Sequence, residues 1–182
     1  ALPISIEKLA PNFGIKVLYK ERFDPSLRDF KTILSKARVF KPDVFYVVSF
    51  PPSLDIIGQE LQTLGIRNIS SSAAFGISAK PELFEGLWYN DGNFVDVTFR
   101  SRFEKAFPGV RFNVRSAPYG YDIFRMFVKA FESGEDVTAY LSNLTEYDGM
   151  AGKITKTAGS RNFHSQPGLW IIKNGKAEPL AN

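Results

Sequence analysis

The chain has 182 residues, 44% of them apolar, enough to build one large core or two small ones. It contains no Cys, which excludes disulfides, thiolate metal sites and a Cys nucleophile. Its net charge of +4 comes from scattered basic residues, the pattern of a solvated surface and not of a nucleic-acid footprint. No apolar run is long enough to span a bilayer and no signal peptide is visible. In chain order, residues 3–10 read as the tail of a helix that Pro11 stops, and residues 15–19 as a strand. Asp24 and Pro25 open a helix as N-cap and first helical residue, with Leu27, Phe30, Ile33, Leu34 and Ala37 on one face and Lys41-Pro42 as its stop. Residues 44–48 form a solid apolar run, the mark of a strand covered on both faces. Pro51-Pro52 ends it, and Leu54, Ile57, Leu61 and Leu64 stripe the next helix up to Gly65.

The second half continues with a short polar strand at 69–72, one helical turn at 81–84 and a strand at 86–89. Residues 95–107 read as a helix with Phe99, Phe103, Ala106 and Phe107 on one side, ended by Pro108-Gly109. The clearest helix is 121–132: Phe124, Phe127, Val128 and Phe131 repeat at the helical period and Gly134 is the C-cap. Val137, Tyr140, Leu141 and Leu144 mark a shorter helix. Residues 153–157 and 169–173 read as strands, and Asn174-Gly175 as a hairpin turn. Helix, strand, helix over 24–65 implies a parallel α/β sheet, and such sheets bind ligands at the carboxyl ends of their strands. The turn from Ser49 to Ser53 sits at such an end.

The order of these signals from Gly14 to Glu178 resembles the type I periplasmic binding proteins, in particular the branched-chain amino acid binding proteins of ABC transporters. The matching pieces are residues 15–23 (IKVLYKERF), Asp29-Phe30 followed by Lys41-Pro42-Asp43, Leu64-Gly65-Ile66, Phe84-Glu85-Gly86, the long helix region 119–131, GMAGKIT at 149–155, and 170–175. Their order over nearly the whole chain carries the likeness; no single piece is specific. The resemblance implies a three-layer α/β sandwich with a mainly parallel sheet, and a chain that supplies most of a second lobe and the later part of a first. On that reading, residues 1–90 are the second-lobe core, 91–148 are helices of the first lobe, and 149–182 are strands returning to the second. The first strand has no strand before its helix, so the chain is expected to be a fragment of a longer polypeptide, with sheet edges that could promote dimerisation.

Carried over by position, the ligand contacts implied by the resemblance come from two loops: Ser49, Phe50 and Pro51, then Ser71, Ser72, Ala73, Ala74 and Phe75. Tyr89 could face the cleft where the chain crosses between lobes, although packing at the hinge is the plainer role. Branched-chain amino acid binders place an acid in the second loop to pair with the ligand's ammonium, and none stands there. Burying an ammonium unpaired costs roughly several kcal/mol, so an aromatic or aliphatic carboxylate, or a small neutral compound, fits better than a standard amino acid. Tyr119 and Tyr121 are expected to anchor the long helix, and Asp122 to sit in its first turn, favoured by the helix dipole.

No catalytic constellation is visible. His164 is the single His, in a polar loop, with no G-x-S-x-G serine to meet it. Asp91-Gly92-Asn93 looks like the start of a calcium loop but lacks the later ligands, and Glu146 and Asp148 read as surface. No metal or cofactor is expected, and no dinucleotide or phosphate loop is present. The expected function is that of an extracytoplasmic solute-binding protein, periplasmic or anchored at the cell surface, which presents a small ligand to an ABC permease. The alternatives are the ligand-sensing domain of a signalling receptor and the effector domain of a transcription regulator, without nucleic-acid contact or membrane insertion by this chain itself.

Overall fold

The computed structural model describes residues 2–72, 74–96, 98–157 and 160–180. Ala73 of the second loop and Val97 of the expected 95–107 helix therefore lie outside the described residues. Helix α1 (Leu2–Leu9) runs into a 3-10 turn that Gly14 closes at φ +67°, a conformation glycine adopts without a Cβ penalty. Residues 15–19 do not form the expected strand. Ile15, Val17 and Leu18 are exposed and pair with no described strand, so nothing satisfies a ladder there. Helix α2 (Lys31–Val39) also starts later than the sequence suggests. Asp24 turns its carboxylate onto the Ser26 amide (2.7 Å) and makes a local turn instead of a cap; Asp29 accepts from the Lys31 amide at 3.0 Å. The apolar face holds: Phe30, Leu34 and Ala37 are buried.

Strand β1 (Phe45–Val47), helix α3 (Ser53–Thr63) and strand β2 (Ile69–Ser71) make the parallel unit expected from the sequence, with Phe45 opposite Ile69 and Val47 opposite Ser71. Leu54, Ile57 and Leu61 of α3 are buried against it. The double coverage of β1 is not found. Phe45 and Val47 pack on the core, while Val44, Tyr46 and Val48 on the opposite face are exposed. The polar strand β2, by contrast, is wholly buried. Its hydroxyls make this affordable by bonding backbone: Ser70 donates to the Trp88 carbonyl at 3.2 Å and Ser71 to the Val47 carbonyl at 2.6 Å.

Strand β3 (Trp88–Asp91) joins this unit through a parallel bridge between Ser72 and Asn90. Helices α4 (Phe99–Ala106), α5 (Ser116–Ser133) and α6 (Val137–Asn143) follow. Helix α4 stops short of Val95 because Asp96 takes the Thr98 amide at 2.8 Å in a local turn. Helix α5 extends further back than expected, because Asn113 accepts from the amides of both Arg115 (3.0 Å) and Ser116 (2.8 Å). Gly134 caps it at φ +74° as expected. Strands β4 (Glu146–Gly149), β5 (Gly152–Lys156) and β6 (Phe163–Ser165) form an antiparallel ladder, so the exposed His164 lies on a strand and not in a loop. Strands β7 (Gly168–Lys173) and β8 (Lys176–Pro179) complete a β3–β7–β8 sheet, joined by the expected Asn174-Gly175 hairpin at φ +50° and +68°. The main core gathers Phe30, Leu54, Leu61, Phe75, Phe84, Tyr89, Trp170 and Ile172.

The apolar stripe of α5 points the wrong way for the sequence reading. Phe124, Phe127 and Phe131 are 66%, 42% and 74% exposed, and the inward face is Pro118, Asp122, Met126 and Ala130. Asp122 is fully buried beyond the first turn, so it is no dipole-aligned surface charge. It accepts from the amides of Met150 (2.6 Å) and Ala151 (2.8 Å) and ties the β4–β5 turn to the helix. Gly149 permits the contact, since a Cβ there would lie 2.5 Å from the Asp122 carboxylate.

Candidate functional site

The carboxyl ends of β1 and β2 lie side by side, and β3 joins them through the Ser72–Asn90 bridge. Of the first loop, Ser49 is buried, Pro51 is half-buried and Phe50 holds its ring 58% exposed while its carbonyl accepts the Leu54 amide that starts α3 (3.0 Å). Of the second loop, Ser72 presents its hydroxyl to the Asn90 side-chain amide at 3.4 Å. The remaining expected contacts serve the interior. Ser71 spends its hydroxyl on the Val47 carbonyl, and Ala74 is enclosed. Phe75 stacks on Phe84 (4.3 Å between centroids) and packs against Tyr89 (5.5 Å), and neither Phe75 nor Tyr89 offers surface to a ligand here. The Tyr89 hydroxyl is buried without a hydrogen-bond partner, close against Gly76, and burial drives its pKa well above the ordinary phenol range.

Four residues that the sequence reading did not assign to the site complete the cluster. The Tyr46 hydroxyl reaches from the exposed face of β1 to the Asn90 side-chain oxygen at 3.3 Å, so Tyr46, Asn90 and Ser72 form one polar chain across three strands. Asp91, the next residue on β3, is buried. Its Oδ1 accepts from the Gly92 amide (2.7 Å) and lies 3.2 Å from Nε of Arg115. Burial raises the Asp91 pKa, against the opposing pull of the Gly92 amide and the Arg115 charge. Burial likewise raises that of Tyr46, with the Ser72 hydrogen bond and Arg115 acting the other way. Gly92 lets the segment before α5 approach: a Cβ at this position would stand 2.9 Å from Arg115 Cα and 3.0 Å from the Val114 carbonyl. In the sequence Asp91 stands out only through Asp91-Gly92-Asn93, which looks like the start of a calcium loop. Among the described residues no group of three or more His, Asp or Glu could hold a metal ion.

A separate cavity of about 280 Å³ lies between Phe94, Phe112, Trp170 and Lys176 and shares no residue with this cluster. Tyr119 and Ser165 share a hydroxyl hydrogen bond that fastens the start of α5 to β6, the anchoring role expected of Tyr119, whereas Tyr121 is exposed and meets Phe99 edge-on.

A family model described as periplasmic binding protein matches residues 5–173. Comparison with curated proteins returns no match. Among solved structures, the chain is similar to a leucine binding protein from Thermotoga maritima, with TM-score 0.81, 20% identity, and coverage of 99% of this chain and 55% of that one. It is also similar to a branched-chain amino acid ABC transporter periplasmic ligand-binding protein from Burkholderia xenovorans (TM-score 0.80, 17% identity, 99% and 54% covered). A third is an ABC transporter solute binding protein from R. palustris in complex with benzoate (TM-score 0.73, 18% identity, 97% and 53% covered). The chain spans about half the length of each. At these identities the likeness establishes the fold: an α/β architecture of the type I periplasmic binding protein kind.

Proposed function

We propose that this chain, which belongs to the type I periplasmic binding protein family, is the part of an extracytoplasmic solute-binding protein that supplies one wall of the ligand cleft, and that the whole protein delivers a small carboxylate or amino acid to an ABC permease. The observation that carries this reading is the polar chain Tyr46–Asn90–Ser72 at the carboxyl ends of parallel strands, with an exposed Phe50 ring on the loop that follows β1. On this reading residues 1–90 and 149–182 belong to the second lobe, and 91–148 to the first. Closure of the two lobes over the ligand is the working motion, and the closed form is what the permease receives. The chemistry here is binding: polar groups fix orientation and an aromatic wall covers apolar surface, with no nucleophile or paired acid and base among the described residues of the cluster.

The test is a ligand panel on the full gene product, read by thermal melting. The panel holds the aliphatic and aromatic amino acids, their deaminated acids and the benzoates. A true ligand at a hundred times its Kd stabilises by about 2.7 kcal/mol, a rise of roughly 4 °C in melting temperature for a protein about twice the length of this chain. A second readout is loss of uptake of that same compound when the gene is deleted. A cooperative melt that no amino acid or carboxylate moves would sink the reading.

A further inference from the structure

We propose that Arg115 receives the ligand's carboxylate, held in position by the buried Asp91, so that the site selects organic monocarboxylates that lack an ammonium group. The inference rests on the binding-protein reading above and assigns its substrate class and the residue that sets it.

The argument begins with what each end of the guanidinium does. Nε faces Asp91 Oδ1 at 3.2 Å, while the Arg115 side chain is 51% exposed. Among the described residues, its two terminal amino groups take no hydrogen-bond partner. A guanidinium held at Nε and open at both Nη atoms has the planar fork that matches a carboxylate with two parallel bonds. A free surface arginine loses side-chain entropy when it binds; this one is already restrained. Gly92 lets its backbone come close, Asn113 fixes its amide, and Asp91 fixes its Nε.

The same geometry discriminates against amino acids. An ammonium needs an anion within reach, and the acid of this cluster is buried and turned towards Arg115. Asp91 is buried, and its Oδ1 already takes the Gly92 amide and faces Arg115. The second loop contributes Ser72 and no acid. A zwitterion whose carboxylate met Arg115 would leave its ammonium close to a like charge and facing only hydroxyl and amide groups. A deaminated acid carries no such penalty, and its apolar body can lie on the Phe50 ring. The neighbouring polar chain of Tyr46, Asn90 and Ser72 then has hydroxyl and amide groups for a second polar substituent on the ligand.

The test uses four probes on the full gene product: benzoate, its uncharged isostere benzamide, 4-methylpentanoate, and leucine, which is the same skeleton with an ammonium. Calorimetry is expected to show benzoate bound at least tenfold tighter than benzamide, and 4-methylpentanoate tighter than leucine. Arg115→Gln should weaken the carboxylates roughly ten- to hundredfold and leave benzamide nearly unchanged, so that benzoate and benzamide converge. Arg115→Lys keeps the charge without the fork and should restore part of the difference. A merely structural role for Arg115 would weaken charged and neutral probes alike. An unchanged benzoate-to-benzamide ratio in Arg115→Gln overturns the proposal and leaves the binding-protein reading standing. So does leucine binding tighter than 4-methylpentanoate in the wild type. If none of the four binds, the carboxylate proposal is overturned; the binding-protein reading falls only if the wider panel is also silent.

Discussion

Phe75, Phe84 and Tyr89 on one side and the phenylalanines along α5 on the other meet opposite fates. Phe75, Phe84 and Tyr89 are fully buried, with Phe75 packed on both of the others. Phe124, Phe127 and Phe131, spaced at the helical period, face outward. The stronger periodic signal belongs to the exposed set. Periodicity therefore says that a helix has an apolar face, and leaves open what that face meets. On α5 the orientation is decided by Asp122. Its two amide bonds to the β4–β5 turn, at about 1.5–3 kcal/mol each for a charged acceptor, put Asp122, Met126 and Ala130 inward and turn the phenylalanines out.

The largest effect should come from breaking the buried set. Phe75→Ala removes a fully buried ring that touches both Phe84 and Tyr89, and should cost about 3–5 kcal/mol of unfolding free energy. Urea denaturation measures it. A loss below about 1 kcal/mol would mean that these three rings are not the packed centre described here.

Asp122→Ala comes next. It strands the amides of Met150 and Ala151, and should cost roughly 2–4 kcal/mol. The same change frees α5 from the bond that sets its rotation, so it tests the comparison directly. If Asp122→Ala costs no more than an exposed substitution, some other contact orients the helix.

What could be read from sequence divides along the same line. The β1–α3–β2 unit, the Gly134 cap and the Asn174-Gly175 hairpin were legible because each rests on local rules: an apolar stripe, a left-handed glycine, a two-residue turn. The burial of Asp122, the exposed face of β1 and the missing strand at 15–19 were not, because each depends on which distant segment stands opposite. The site shows the same split. Phe50 and Ser72 keep the strand-end positions that the sequence reading gives them, since position in a parallel unit is a local inference. Phe75 and Tyr89 were drawn into the core by Phe84, whose approach no spacing predicts. Arg115 reaches the cluster through the close approach of its backbone to Gly92, a contact between the end of β3 and the start of α5.

Asp91 offers a pH-dependent test of the polar cluster. Its folded pKa is raised above the ordinary 3.8, chiefly by burial. A group shifted this way contributes its stability fully below the unfolded value, and loses it as pH rises through the folded value. The stability of wild type relative to Asp91→Asn should therefore fall as pH climbs above 3.8 and level off once the raised folded value is passed. A relative stability that rises with pH over that window would mean that the Arg115 charge outweighs burial.

The smallest effect is expected where the sequence pattern is strongest. Phe124→Ser and Phe131→Ser change rings that are mostly in solvent, and Phe and Ser have nearly equal helix propensities, so the measurement reads burial with little else mixed in. In the 182-residue chain each should shift unfolding free energy by no more than about 0.5 kcal/mol, several-fold less than Phe75→Ala, while raising solubility. Phe127→Ser, at the least exposed position of the three, should sit at the upper end of that range. A cost for Phe131→Ser comparable to that of Phe75→Ala would show that the stripe is covered in solution, and the contrast between the two aromatic sets would then be one of partner and not of burial.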